Sequence, residues 1–425
     1  MIAGSESVNR KWILVCLGLV LLSGIFLRLP PDLFSGPSAP LHLLRALHPN
    51  PLWHDLHLVG VDEGLYRDYV QQLSDKGLGH YPDIVRAYID KQSNLPGAIL
   101  PPLRFLYIFA GYCWHALFQT EALASVRDVA SFFSVLTLGL AAVVGWRMRG
   151  PVWSLGLAAL VAFAPTQIHM SQHGLIDGFF AFWALLTLWL LWENLRSPRQ
   201  WRWLASYTVS LALLVLTKES AFFVWVAVLA ILAANRWLQY GRVCPELLIA
   251  TAVGPIIGAT TLMLLAGGPE LLVKTYQLFV TKNYALPYMI KTGDGPWQRY
   301  LVDLLLVSPI ILILAIGAVI QIKRTNGPEL FMIIFVAVSY ALMCNVKYGM
   351  NLRFANMWDV PLRFLAISTL VGWIGPLRQR RYLVLAAAVA MICALEIRQY
   401  QILFVEHSLH ELASEGLFRA LDILK

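Results

Sequence analysis

This chain is short of charge. Only 14% of its 425 residues are Asp, Glu, Lys or Arg, where soluble domains carry nearer a quarter. With 58% hydrophobic residues and a mean hydropathy of +0.63, that scarcity excludes an ordinary soluble protein and points to a polytopic membrane protein. Cysteine is sparse too. Cys16, Cys113, Cys244, Cys344 and Cys393 are scattered, mostly inside apolar runs, with no CxxC spacing. They read as isolated thiols, neither a disulfide framework nor a zinc site. There is no Gly-rich phosphate loop, Walker motif or Ser-His-Asp arrangement, which argues against a nucleotide-dependent enzyme. No internal repeat, low-complexity segment or Asn-x-Ser/Thr sequon occurs. No basic run with interleaved aromatics marks a nucleic-acid surface, so the net charge of +8 is assigned to cytoplasmic anchoring charges and anionic headgroups.

What is present is a succession of apolar runs. A bilayer core needs roughly 20 apolar residues per helix. Arg10-Lys11 precede Trp12–Leu29 and put its start in the cytoplasm; the run is too long for a signal peptide and reads as a retained first helix. Residues 30–97 are polar and lie outside. The apolar piece 98–118 opens with Pro101-Pro102 and carries Arg104. Basic residues at Arg147 and Arg149, 196–202, 236–242, Lys323-Arg324 and 378–381 fall on one side of the membrane only if 98–118 does not cross. It is therefore read as interfacial or half-inserted. The predicted spans are 12–29, 127–146, 152–168, 178–193, 203–217, 221–235, 246–266, 301–320, 329–345, 359–375 and 381–399. That makes an all-α polytopic membrane protein of about 11 transmembrane helices, with juxtamembrane helices in a long first outer loop. The tail 400–425 has helical apolar spacing and is expected on the outer surface as an amphipathic helix.

This path collects charge at the outer helix ends. Asp62-Glu63 form an acidic pair in the first outer loop; catalysis and simple helix capping both suit them. His169, His173 and Asp177 follow at i, i+4 and i+8, one helical face. They could donate to a phosphate or bind a divalent metal, against a bland reading as a hydrogen-bonded helix end. Lys218, Lys347 and Arg353 lie in short outer turns, against the usual charge bias. An anionic group on that side, such as a lipid-borne phosphate, would account for them; headgroup contact is the alternative. Arg353 is favoured because a guanidinium binds phosphate bidentately. His54-Asp55-Leu56-His57 has metal-ligand residue types, but three such residues in four positions seldom reach one ion, and a surface loop is the better reading.

Four features together resemble the GT-C superfamily of membrane glycosyltransferases, which includes protein O-mannosyltransferases (glycosyltransferase family 39), aminoarabinose transferases and oligosaccharyltransferases. They are Asp62-Glu63 followed by Tyr66, the Pro101-Pro102-Leu103 stretch, Ala164-Pro165 followed by His169, His173 and Asp177, and Leu216-Thr217-Lys218. The resemblance covers roughly residues 12–235. It departs from the family pattern where Arg often precedes the second acid, since His169 and His173 stand here, and where Ile99-Leu100 precede the Pro pair. It implies a catalytic module over 1–235 with outer loop 30–126. A C-terminal transmembrane module over 236–399 would carry outer loops 267–300 and 346–358. The implied activity is inverting transfer of a monosaccharide from a polyprenyl-phosphate donor to a lipid, glycan or protein acceptor at the outer face, in a bacterial inner membrane. Asp62, supported by Glu63, is implied as base or acceptor-orienting carboxylate, with Asp177 as second acid. Tyr66, His173, Lys218, Lys347 and Arg353 would bind substrate or phosphate. No cofactor is required, although a divalent metal at His169, His173 and Asp177 is a possible alternative. A transporter or flippase of lipid-linked sugars or other amphiphiles is the second reading; acids and bases at helix ends and the lack of a repeat favour the enzyme.

Overall fold

The computed structural model describes residues 10–34, 39–50, 59–347, 349–375 and 380–423; the expected surface loop at His54-Asp55-Leu56-His57 lies outside them. Among the described residues the secondary structure is helical and contains no strand. All eleven predicted spans fall on helices, because each is an apolar run bounded by Pro, Gly or basic residues. Prolines open the helices Pro151–Ala162, Pro165–Gln172, Pro245–Leu265 and Pro309–Ile320, where a missing N–H costs nothing.

Length separates the helices into two groups. Among the described residues, six are long and apolar enough to cross a bilayer: Ala122–Arg149, Ile176–Arg196, Ala221–Leu238, Pro245–Leu265, Leu352–Ile374 and Arg381–Glu406. A seventh is possible if Pro151–Ala162 and Pro165–Gln172, bent by 57° at their break, act as one span. Trp201–Val215 has 15 residues, a rise of about 22 Å at 1.5 Å per residue, short of the roughly 30 Å hydrocarbon core. The apolar piece around Pro101-Pro102 is a helix only from Phe105 to Phe118, 14 residues. The predicted span 301–320 is broken at Ser308-Pro309 into Arg299–Val307 and Pro309–Ile320.

The transmembrane helices pack as a bundle. Pro245–Leu265 lies on Trp201–Val215 so closely that a Cβ on Gly254 would stand 2.9 Å from the Thr208 carbonyl, and one on Gly258 2.5 Å from that of Ala212. Small residues that let backbones touch are how helices associate where lipid removes the hydrophobic drive. A second core sits on one end of the bundle, built from Val61–Lys76, Tyr81–Asn94 and Phe105–Phe118 around Tyr66, Val70, Leu73, Tyr81, Val85 and Ile108. Three of its tyrosines point their hydroxyls at residues 99–102. Tyr69 donates to the Leu100 carbonyl at 2.7 Å and Tyr88 to that of Ile99 at 3.2 Å, and Tyr81 donates to that of Pro102. Residues 99–102 are thereby tied to the second core, and Arg104 is delivered to the helix start.

The tail departs from the expected single amphipathic helix. A π-helical turn Gln401–Glu406 continues Arg381–Tyr400, an irregular segment follows, and only Ser414–Ala420 is α-helical. Leu412 and Leu417 are buried, and Ser414 ties the segment to Asp303 and Arg299 at 2.7 and 3.0 Å.

Candidate functional site

Helix Val61–Lys76 starts at Gly60, so neither carboxylate of the acidic pair is the N-cap; both occupy the first turn, where the helix dipole favours them. The two then part. Glu63 is fully buried and accepts the N–H groups of Gly60 at 3.1 Å and Gly174 at 2.6 Å. It also pairs with Arg127 at 3.0 and 3.1 Å, with His173 Nδ1 3.8 Å away. Burial alone would raise its pKa, but His173 and Arg127 overcome this and hold the carboxyl well below the usual carboxylate range. Asp62 turns the other way, with 27% of its side chain exposed.

Asp62 meets Arg353. The 3-10 turn Leu352–Trp358 begins at Asn351, whose side chain accepts the Arg353 N–H at 3.0 Å. The guanidinium is buried among three carboxylates. Nη2 donates to Asp62 at 2.7 Å and to Asp177 at 3.2 Å, Nε donates to Asp177 at 3.3 Å, and Nη1 donates to Glu411. Asp177 is in the first turn of Ile176–Arg196 and also accepts Lys218 Nζ at 2.7 Å. Lys218 stands 4.0 Å from the Phe354 ring centroid, a cation–π distance. Burial pushes its ammonium down, with Asp177 opposing. Beside it Glu219 takes Arg104 in a two-point pair at 2.6 and 3.3 Å, and Arg104 donates to the Tyr66 hydroxyl at 2.8 Å.

These groups border one cavity of about 1030 Å³. Asp62, Arg104, Lys218, Glu219, Arg353 and Glu411 give it a charged wall, with Lys347 also on its lining. Leu65, Ile99, Phe222, Phe223 and Phe279 give it an apolar one. Of the residues singled out in the sequence, Asp62, Lys218, Lys347 and Arg353 line the cavity. Asp177 lies behind Arg353 and Lys218, and Tyr66 behind Arg104. Glu63 and His173 face into the protein. His173 sits between His169 and His410, with ring centroids 4.6 and 4.8 Å away, and of these three His410 borders the cavity.

The trio His169, His173 and Asp177 does not share a helical face, because one helix ends at Gln172 and the next begins at Ile176. Asp177 is engaged by Lys218 and Arg353. Among the described residues no group of three His, Cys, Asp or Glu is placed to hold a metal ion, so the metal alternative has no ligand set here. Sequence reasoning missed Arg104, Glu219, Asn351, His410 and Glu411 as cavity residues. Arg104 carried a signal in its place after Pro101-Pro102-Leu103, and Glu219 in its adjacency to Lys218. Glu411 carried none.

The sequence profile of the dolichyl-phosphate-mannose-protein mannosyltransferase family matches residues 102–266. No curated protein matches the chain in sequence. Several solved structures share its fold. The oligosaccharyltransferase of Archaeoglobus fulgidus, tethered with an acceptor peptide, is 15% identical with a TM-score of 0.58, covering 92% of this chain and 55% of that one. The same protein in complex with Zn and sulfate is 14% identical with a TM-score of 0.57, covering 91% and 53%. ArnT from Cupriavidus metallidurans, bound to undecaprenyl phosphate, is 13% identical with a TM-score of 0.53, covering 98% and 77%. This chain thus spans about half the length of the archaeal enzyme and has the fold of the GT-C membrane glycosyltransferases.

Proposed function

We propose that this multi-pass membrane protein of GT-C fold is a glycosyltransferase that moves a monosaccharide from a polyprenyl-phosphate donor to an acceptor at the outer face of a bacterial inner membrane. The observation that carries the reading is the shared cavity. A partly exposed carboxylate, Asp62, and buried cations, Arg353 and Lys218, line the same cavity as a set of Phe and Leu side chains. The undecaprenyl phosphate bound to ArnT and the acceptor peptide tethered to the oligosaccharyltransferase support a lipid-linked donor and a separate acceptor.

The chemistry follows from the charges. Asp62 takes the proton of the acceptor group, or orients that group, as its atom attacks the anomeric carbon. The new bond to that carbon forms as its bond to the phosphate oxygen breaks. The lipid phosphate leaves with the electron pair, and attack from the opposite face inverts the anomeric centre. Arg353 and Lys218, already aimed and desolvated, stabilise the negative charge that develops on the leaving phosphate. Asp177 anchors both cations, Arg104 extends the cationic wall, and Lys347 offers a further charge to the phosphate. Tyr66 holds Arg104, and Glu63 with His173 fixes the turn from which Asp62 projects. The donor's hydrocarbon lies along the apolar flank, so the lipid never leaves the bilayer. No step requires a metal.

The test is Asp62→Asn with radiolabelled polyprenyl-phosphate sugars and a native membrane extract. Transfer is expected to fall at least about 100-fold, the scale of a lost general base, in a protein that still folds and binds the donor no more weakly. Unimpaired transfer would overturn the assignment of Asp62. Movement of labelled donor across the membrane with no product in the wild type would favour the flippase.

A further inference from the structure

The donor-binding reading leaves a problem of charge. The cavity wall carries the cations Arg104, Lys218, Lys347 and Arg353 and, on or directly behind it, the carboxylates Asp62, Asp177, Glu219 and Glu411. The site is balanced before any ligand arrives. A sugar-linked lipid phosphate adds a negative charge to a water-poor pocket, where an uncompensated charge is expensive. One carboxylate must give way.

Three of the four are committed. Asp177 is buried and clamped by Lys218 and Arg353 together. Glu219 is locked to Arg104 at two points. Asp62 is the group the transfer reaction uses. Glu411 differs from all three. It reaches in from the irregular segment of the tail, its side chain is 28% exposed, and its partners are Arg353 Nη1 and Asn351 Nδ2, the latter at 2.8 Å. One donor takes Oε1 and the other Oε2. Two converging donors holding two oxygens of one anion form a cradle that suits two oxygens of a phosphate equally well.

We propose that Glu411 is an exchangeable counter-ion of Arg353: its carboxylate occupies the seat of a lipid-borne phosphate on Arg353 and Asn351, and rotates out when the donor enters. This rests on the reading of Arg353 as a donor-phosphate ligand. The backbone on either side stays in place. Leu409 N–H donates to the Leu403 carbonyl at 3.0 Å, Leu352 N–H donates to that of Leu412 at 3.4 Å, and the Leu412 side chain is fully buried. The exchange is therefore a side-chain rotation toward the open cavity, not an unfolding of the tail. Asn351 is part of the same seat and serves the resting carboxylate and the arriving phosphate in turn.

The test uses the purified full-length chain in detergent, titrated with farnesyl phosphate and, separately, with farnesol. The wild type is expected to prefer the phosphate over the alcohol. Glu411→Gln, which keeps the shape and removes the charge, should bind farnesyl phosphate at least about threefold tighter and farnesol unchanged. Arg353→Ala should lose the preference for phosphate in either background. Weaker or unchanged binding of farnesyl phosphate by Glu411→Gln, in a protein whose wild type prefers the phosphate, would overturn the exchange and make Glu411 a positioning residue for Arg353. A wild type that binds both probes alike would overturn the donor reading itself. Should the Gln variant fail to fold, Glu411→Ser removes the same charge and is judged by the same criterion.

Discussion

Asp62 and Glu63 are neighbours in sequence with opposite surroundings. The acidic pair was legible as a site because carboxylates are rare in this chain and these two open a helix. Which of them meets the cavity was not legible. It depends on Arg127, 64 positions away, and on the Gly174 N–H, 111 positions away, both of which claim Glu63. Removing one partner of a buried pair leaves the other charge uncompensated. Glu63→Gln is expected to cost about 3 kcal/mol of stability and to be read as a lowered melting temperature. Two groups beside the cavity contribute to the acid limb of stability. Burial, reinforced by His173 and Arg353, lowers His410 from 6.5 to about 4. Its contribution is complete above pH 6.5 and is lost as the pH falls toward 4. Glu63, held far below its ordinary 4.5, contributes fully above that value and is lost only at lower pH. A melting profile against pH should be flat from 7 upward with respect to these groups and fall in two stages below, and Glu63→Gln should shrink the more acidic stage, to which Asp177 and Glu219 also contribute.

At the scale of elements, the helices were legible and their interruptions were not. Apolar runs and prolines set the positions of Ile176–Arg196 and its neighbours. The continuous face expected through His169, His173 and Asp177 failed because residues 173–175 leave the helix in a turn, where the Leu175 N–H donates to the His173 carbonyl at 2.7 Å and the Gly174 N–H reaches the Glu63 carboxylate. The tail was misread for a related reason: its leucines keep helical spacing, but Leu412 is buried outside any helix. The turn at Gly174 is close-packed. A Cβ there would stand 2.8 Å from Val126 Cγ1 and 3.4 Å from the Glu63 Oε1. Gly174→Ala is therefore expected to cost about 1–3 kcal/mol through overpacking and to shift the start of Ile176–Arg196, which carries Asp177. Melting temperature and transfer activity should fall together. Gly139→Ala, in a helix with nothing within 4 Å of the added methyl, is the control and should leave both near wild type.

At the scale of the whole molecule, the cavity wall draws on residues from 59 to 411, and the tyrosine-rich second core covers one end of the bundle. The distribution of basic residues predicts that this end faces outward. The test is labelling of single cysteines in a cysteine-free background with a membrane-impermeant maleimide. Lys274→Cys, exposed on the Pro269–Asn283 helix that borders the cavity, should react in intact cells. Arg202→Cys, exposed at the opposite charge cluster, should react only after permeabilisation. The reverse pattern would turn the cavity inward and end the outer-face reading. The pairing of Arg104, Lys218 and Arg353 with carboxylates also bears on which anions the protein notices. Orthophosphate or a nucleotide drifting in from the aqueous side meets these three cations already paired, and it brings nothing to offset the eviction of a carboxylate. An amphiphile brings a hydrocarbon chain whose partition into the aromatic flank supplies that driving force. Resting occupancy would thus act as a filter, leaving the protein blind to the soluble phosphates of its surroundings while it answers to those tethered in the membrane.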